Sequence, residues 1–91
     1  MSTFSLTVST PDGDRLREEV RCLSLRGTEG ELAIMAGHVP FVTAVKPCDC
    51  RVLTDEEQLR TGHTDDGILS VSETGVTLLS GNFCWAEEEG K

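Results

Sequence analysis

The chain has 91 residues, enough for one domain, with sixteen acidic against eight basic side chains and a net charge of −8. That balance lacks the clustered Lys and Arg by which proteins hold nucleic acid or an anionic membrane. No apolar run approaches the roughly 18 residues of a membrane span, and the start, Met1-Ser2-Thr3-Phe4-Ser5, has neither the basic nor the apolar region of a signal peptide, so a cytosolic location is expected. Phe4, Leu6 and Val8 then alternate with Ser5, Thr7 and Ser9, one apolar and one polar face at period two, which predicts a strand. Pro11-Asp12-Gly13-Asp14 follows as a turn. Arg15 to Val20 has room for a helical turn or two at most. Val20, Leu23 and Leu25 continue as a strand whose change of parity predicts a bulge or kink.

Arg26 to Glu31 reads as a loop from its glycines. Leu32 and Ile34 make a brief strand, and Ala36-Gly37-His38-Val39-Pro40 a corner. Phe41 to Val45 is the next strand, ended by Lys46-Pro47, where the proline favours an extended Lys46. Arg51-Val52-Leu53-Thr54 is a strand and Asp55-Glu56-Glu57-Gln58 a polar hairpin tip. Leu59 to Asp66 carries little to bury, with Gly62, His63, Thr64 and two aspartates. Ile68-Leu69-Ser70-Val71 and Val76-Thr77-Leu78-Leu79 flank Ser72-Glu73-Thr74-Gly75 as the clearest hairpin. The sum is an all-β fold of many short strands, a sandwich or a barrel.

Several residues invite a reading as chemistry. His63 with Asp65 and Asp66 resembles a metal or hydrolase cluster, but a polar turn explains it better. Cys48-Asp49-Cys50 is spaced one residue apart rather than the two to four of zinc knuckles, and would need Cys22 and Cys84 as its second pair. Without a secretion signal, four free thiols are expected. Cys48 and Cys50 fall on one face of a strand, where small apolar packing is the simpler role. His38 has no partner at ligand spacing. No catalytic group, metal or cofactor is therefore expected.

The stretch Gly27-Thr28-Glu29-Gly30-Glu31-Leu32-Ala33-Ile34-Met35-Ala36-Gly37-His38-Val39-Pro40 resembles the pattern G-[ST]-E-G-E-x-G-[IV]-x-P-G-H-A-P of the F-type ATP synthase epsilon subunit. Thr43-Ala44-Val45-Lys46-Pro47 is similar to that family's T-A-[IL]-K-P. Gly67 to Val71 and Val76 to Leu79 resemble its G-[IF]-L-E-V and V-T-V-L, and Phe4 to Gly13 its opening strand and turn. The likeness runs over most of the chain in order. Ala33 and Ala36 depart from a usual Gly and Pro, Cys48, Asp49 and Cys50 from a Gly and apolar residues, and Thr61 to Asp66 from an apolar strand. Family members commonly add a helical hairpin after the sandwich. This chain stops soon after Leu79, which is expected of a natural short form or of a cut domain.

The resemblance implies a small two-sheet β-sandwich of about ten short strands over residues 1–82, with 83–91 as a short acidic tail, serving as a non-catalytic subunit of a proton- or sodium-driven rotary ATP synthase, bound at the cytoplasmic face of the membrane only through its complex. Its partners would be the gamma subunit and the ring of c subunits, with a homodimer as the form available to an isolated copy. Glu29, Gly30, Glu31, Gly37, His38 and Pro40 would face the ring, and Phe41, Val42, Val76 and Leu78 would grip gamma. The acids at 29 and 31 read equally as solvated loop charges, and Phe41 and Val42 as core. Trp85 reads either as packed on the sandwich or as part of an exposed patch. A sandwich serving as an interaction module in another assembly is the alternative function. A small enzyme or metal protein built on His38, His63 and the cysteines is the third.

Overall fold

A computed structural model describes residues 3–27, 30–37 and 39–86. Among these are nine strands: β1 (Phe4–Thr10), β2 (Gly13–Gly27), β3 (Gly30–Met35), β4 (Phe41–Val45), β5 (Cys48–Thr54), β6 (Leu59–Thr64), β7 (Gly67–Val71), β8 (Val76–Ser80) and β9 (Phe83–Trp85). One layer runs β4-β7-β8-β1-β2. The other runs β3-β2-β5-β6-β9. All of these pairs are antiparallel except β1 with β8. The long β2 belongs to both layers, and Arg15 to Val20 is part of it rather than a helical turn.

The bend in β2 has a clear cause. Val20 pairs with Thr54 and Cys22 with Leu53, so Arg21 is the extra residue of a β-bulge. The bulge flips the parity, which keeps Val20 and Leu23 both in the core. Arg21 itself reaches Glu57 at 3.0 Å and Asp55 at 3.7 Å on the β5–β6 tip. Glu57 sits at φ 65°, the left-handed region, which lets the tip turn within four residues.

The core is one cluster to which both layers contribute, from Leu6 and Val8 in β1 to Phe83 and Trp85 in β9. The segment that looked too polar to be a strand is β6, and its inward side explains the misreading. Gly62 faces Phe83, whose ring fills the space a side chain would take. Thr64 is wholly buried, and its hydroxyl donates to Ser80 Oγ at 2.6 Å, which donates in turn to the Asn82 carbonyl at 2.6 Å. A buried hydroxyl satisfied in this way avoids the desolvation penalty that would otherwise exclude it.

The sandwich does not stop at residue 82. β9 pairs with β6 through Gly62–Trp85, His63–Cys84 and Thr64–Phe83. Trp85 is buried, meets Phe83 edge-on at 5.0 Å between ring centroids, and carries the Arg60 guanidinium 3.9 Å from its own ring centroid. Trp85 therefore closes the core, and the tail begins no earlier than residue 86.

Candidate functional site

The residues expected to face a ring lie at both ends of β3. Gly30 and Glu31 open the strand, and Gly37 and Pro40 follow its far end. Six extended residues place those ends about 17 Å apart, so the structure does not bring the two groups together. Glu29 and His38 lie outside the described residues. Gly30 has φ +122° and Gly37 φ +86°, values that L side chains rarely adopt, so the chain turns at both points because these are glycines.

The Gly30 end also carries the β4–β5, β6–β7 and β8–β9 connections. They are tied by bonds from Lys46 N to Arg26 O (3.4 Å), Asp65 N to Asn82 O (3.0 Å) and Gly81 N to Asp66 O (3.2 Å). Glu31 faces outward and lies 3.6 Å from Arg26, both largely exposed, so this pair orients the hairpin and contributes little to stability. Gly67 fits here because a Cβ would run into the Leu79 carbonyl oxygen.

Of the four side chains expected to grip a partner, only Val42 is presented. Val76 and Leu78 are 4% and 0% exposed. Turning either outward would forfeit about 1.5–3 kcal/mol of burial, so both belong to the core and not to a docking surface. Phe41 packs partly against that core. The outer face of the first layer is built instead from the other parity. Ala44 pairs with Ile68, and Ile68 with Leu79, which makes an apolar row across three strands. Val42 stands beside it. Val42, Ile68 and Leu79 are 67%, 46% and 51% exposed. Their neighbours on this face are small and uncharged: Ser70 opposite Val42, then Thr77 and Thr7. Ile68 and Leu79 were readable in principle, because Leu78-Leu79 in one strand must send one leucine out.

The family model for the ATP synthase delta/epsilon chain β-sandwich domain matches residues 3–86. The chain belongs to this family. It is 32% identical over 89 residues to an ATP synthase epsilon chain of Ruminococcus albus and 30% identical over 89 residues to one of Clostridium novyi. These alignments cover 97% and 98% of this chain but 66% and 68% of the relatives. The chain thus spans about two thirds of the length of the curated relatives it matches. A chain of the Euglena gracilis mitochondrial ATP synthase, in its OSCP, F1 and c-ring assembly, superposes with a TM-score of 0.89 at 26% identity, covering 97% of this chain and 56% of that one. One from the Tetrahymena thermophila central stalk and c-ring gives 0.77 at 11% identity, over 91% and 66%, a likeness of fold alone.

Within this epsilon-type sandwich His63, Cys48 and Cys50 make contacts inside the fold. His63 Nδ1 lies 3.1 Å from Asp49 Oδ1 across the β5–β6 pair, while Asp65 and Asp66 occupy the following turn. Cys48 Sγ accepts the Arg26 amide at 3.3 Å. Cys50 is fully buried, and burial, followed by its neighbours Cys48 and Asp49, pushes its thiol up to about 12. Such a thiol stays protonated and is a poor nucleophile or ligand. Among the described residues no three His, Cys, Asp or Glu side chains are grouped to hold a metal ion.

Proposed function

We propose that the chain acts as a non-catalytic central-stalk subunit of a proton- or sodium-driven ATP synthase, coupling the gamma subunit to the c-ring. The carrying observation is the uncharged stretch of the outer face across β4, β7 and β8. The row Ala44–Ile68–Leu79 with Val42 is apolar, is backed by a continuous sheet, and lies towards the Gly30 end. Apolar area on rigid backbone suits a grip that must transmit torque without deforming. Gamma takes this face, through Val42, Ile68 and Leu79.

The ring takes one end of the sandwich, since a flat surface cannot meet both. The end at Gly30 and Glu31 is continuous with the gamma-binding row, so it is the ring-facing end. Gly37 and Pro40 then sit away from the ring. Exposed charges such as Glu31 set register there more than they add affinity. The subunit is peripheral, held at the cytoplasmic face of the membrane by its complex alone. An isolated copy with this row uncovered self-associates.

The test is reconstitution. Membranes carrying an ATP synthase stripped of its own epsilon subunit regain ATP-driven ion pumping when this chain is added. The Leu79→Asp chain, folded to the same extent, does not restore it. Restoration by both chains alike, or by neither, would remove the basis for this function.

A further inference from the structure

The outer face of the second layer carries three cross-strand rows, set by register. Met35 pairs with Cys22, Cys22 with Leu53 and Leu53 with Leu59, an apolar row across β3, β2, β5 and β6. Met35 and Leu59 are 57% and 64% exposed, while Cys22 and Leu53 are half-buried. The next row runs Ala33–Ser24–Arg51–Thr61 through the same strands. The third is made of Glu31 opposite Arg26 and of Asp49 opposite His63. These four line one shallow cleft together with Arg51. Along the third row the groups alternate: acid, base, acid, imidazole.

The pattern is complementary to itself. A two-fold axis running along the strands, midway between β2 and β5, lays β3 of one copy on β6 of the other and β2 on β5, row upon row. Met35 then meets Leu59 of the second copy, and Cys22 meets Leu53. Arg26 meets Asp49, and Glu31 meets His63. Ser24 meets Arg51, and Ala33 meets Thr61. Each contact occurs twice, as an isologous interface requires, and no like charges are opposed in these pairs. The charges also fix the axis. Moving it onto β2 would set Arg26 on its own copy and Glu31 on Asp49, and moving it onto β5 would set Asp49 on its own copy.

We propose that two copies of the chain dimerise through this face, about that axis. The face belongs to the layer opposite the gamma row, so the dimer uses none of Val42, Ile68 and Leu79 and stands independently of the stalk function. Four strands about 4.8 Å apart and five residues of about 3.3 Å each make a face of roughly 19 by 17 Å. That is smaller than the roughly 800 Å² per partner of a standard interface. The dimer is therefore a weak, exchanging one, with a Kd of about 10–100 μM.

The test is sedimentation equilibrium of the full chain carrying Leu79→Asp, which removes self-association through the gamma row. Salt of about 0.15 M screens the repulsion between two chains of −8 each and leaves the contact pairs. A reductant keeps the free cysteines from linking the copies. The expected result is a monomer–dimer equilibrium between about 5 and 300 μM. Arg26→Asp sets acid against Asp49 of the second copy, and Asp49→Arg sets base against Arg26. Each change alone weakens the dimer at least about tenfold. Both positions are exposed, so the melting temperature stays with the parent. Mixing the two variants in equal amounts restores a dimer, because every Arg26–Asp49 contact is then between opposite charges again. Met35→Asp with Leu59→Asp also weakens it. A chain that stays monomeric to about 300 μM, a dimer indifferent to the single changes, or a mixture that remains monomeric would overturn the proposal.

Discussion

Gly62→Ala is the sharpest perturbation of the closure that β9 makes. A Cβ at this position would lie 2.6 Å from Phe83 Cζ and 3.1 Å from the Cys84 carbonyl oxygen. The ring cannot swing aside freely, because Phe83 is buried and meets Trp85 edge-on. Overpacking of this kind costs about 1–3 kcal/mol. Alanine also stiffens the unfolded chain, which returns about 0.4–1 kcal/mol. The net loss is roughly 1–2 kcal/mol, or a drop in melting temperature of about 5–15 °C for a domain of this size. The single tryptophan, Trp85, reports directly on β9, so urea unfolding followed by its fluorescence is the assay. Phe83→Leu in the Gly62→Ala background relieves the clash, and a double-mutant cycle shows a coupling of at least about 1 kcal/mol. An unchanged midpoint in the single mutant together with additive energies would refute the placement of β9 on β6.

Alkaline pH should selectively weaken the fold through Cys50. Its thiol holds its proton up to about 12 in the folded state against 9.0 ordinarily. The unfolded chain therefore loses this proton first, and stability is constant below pH 9 and then falls by up to about 1.4 kcal/mol per pH unit towards pH 12. Cys50→Ala lowers stability at neutral pH but flattens this slope relative to the parent, as read by urea midpoints from pH 8 to 11. Glu57→Gly exchanges an ion pair with Arg21 for relief of the left-handed backbone and changes stability by less than about 0.5 kcal/mol. Glu57→Val loses both and costs about 1–2 kcal/mol by the same measurement. Met35→Asp, on the outer face of the second layer, leaves both thermal stability and gamma binding unchanged, as checked by calorimetry and pull-down.

Much of the sandwich was legible from alternation. Phe4 to Val8, Phe41 to Val45, and the hairpin around Ser72 to Gly75 show period two because each has one face in the core and one in solvent. The bulge at Arg21 was visible as a parity change, because only an extra residue lets Val20 and Leu23 face the same way. β6 was hidden because its inward positions are Gly62 and Thr64. Their places in the core depend on Phe83 and Ser80, which are remote in sequence. The tail was cut too early for the same reason, since β9 has only three residues and its pairing with β6 is long-range.

The candidate surfaces were less legible. A motif locates residues along the chain but not the side to which each strand turns them. Val76 and Leu78 were named from their segment, and a shift of one position separates Leu78 in the core from Leu79 at the surface. The two halves of the glycine-rich motif were expected to face one partner together, but β3 holds Gly30 and Gly37 at its opposite ends.

The decisive measurement is calorimetric titration of purified gamma subunit with the parent chain and with an Ile68→Asp, Leu79→Asp variant. Both residues are exposed, so the variant should melt with the parent. The expected result is a complex of micromolar or tighter affinity for the parent and at least about a hundredfold loss for the variant. Equal affinity for the two chains, or no heat of binding with the parent, would contradict the coupling role.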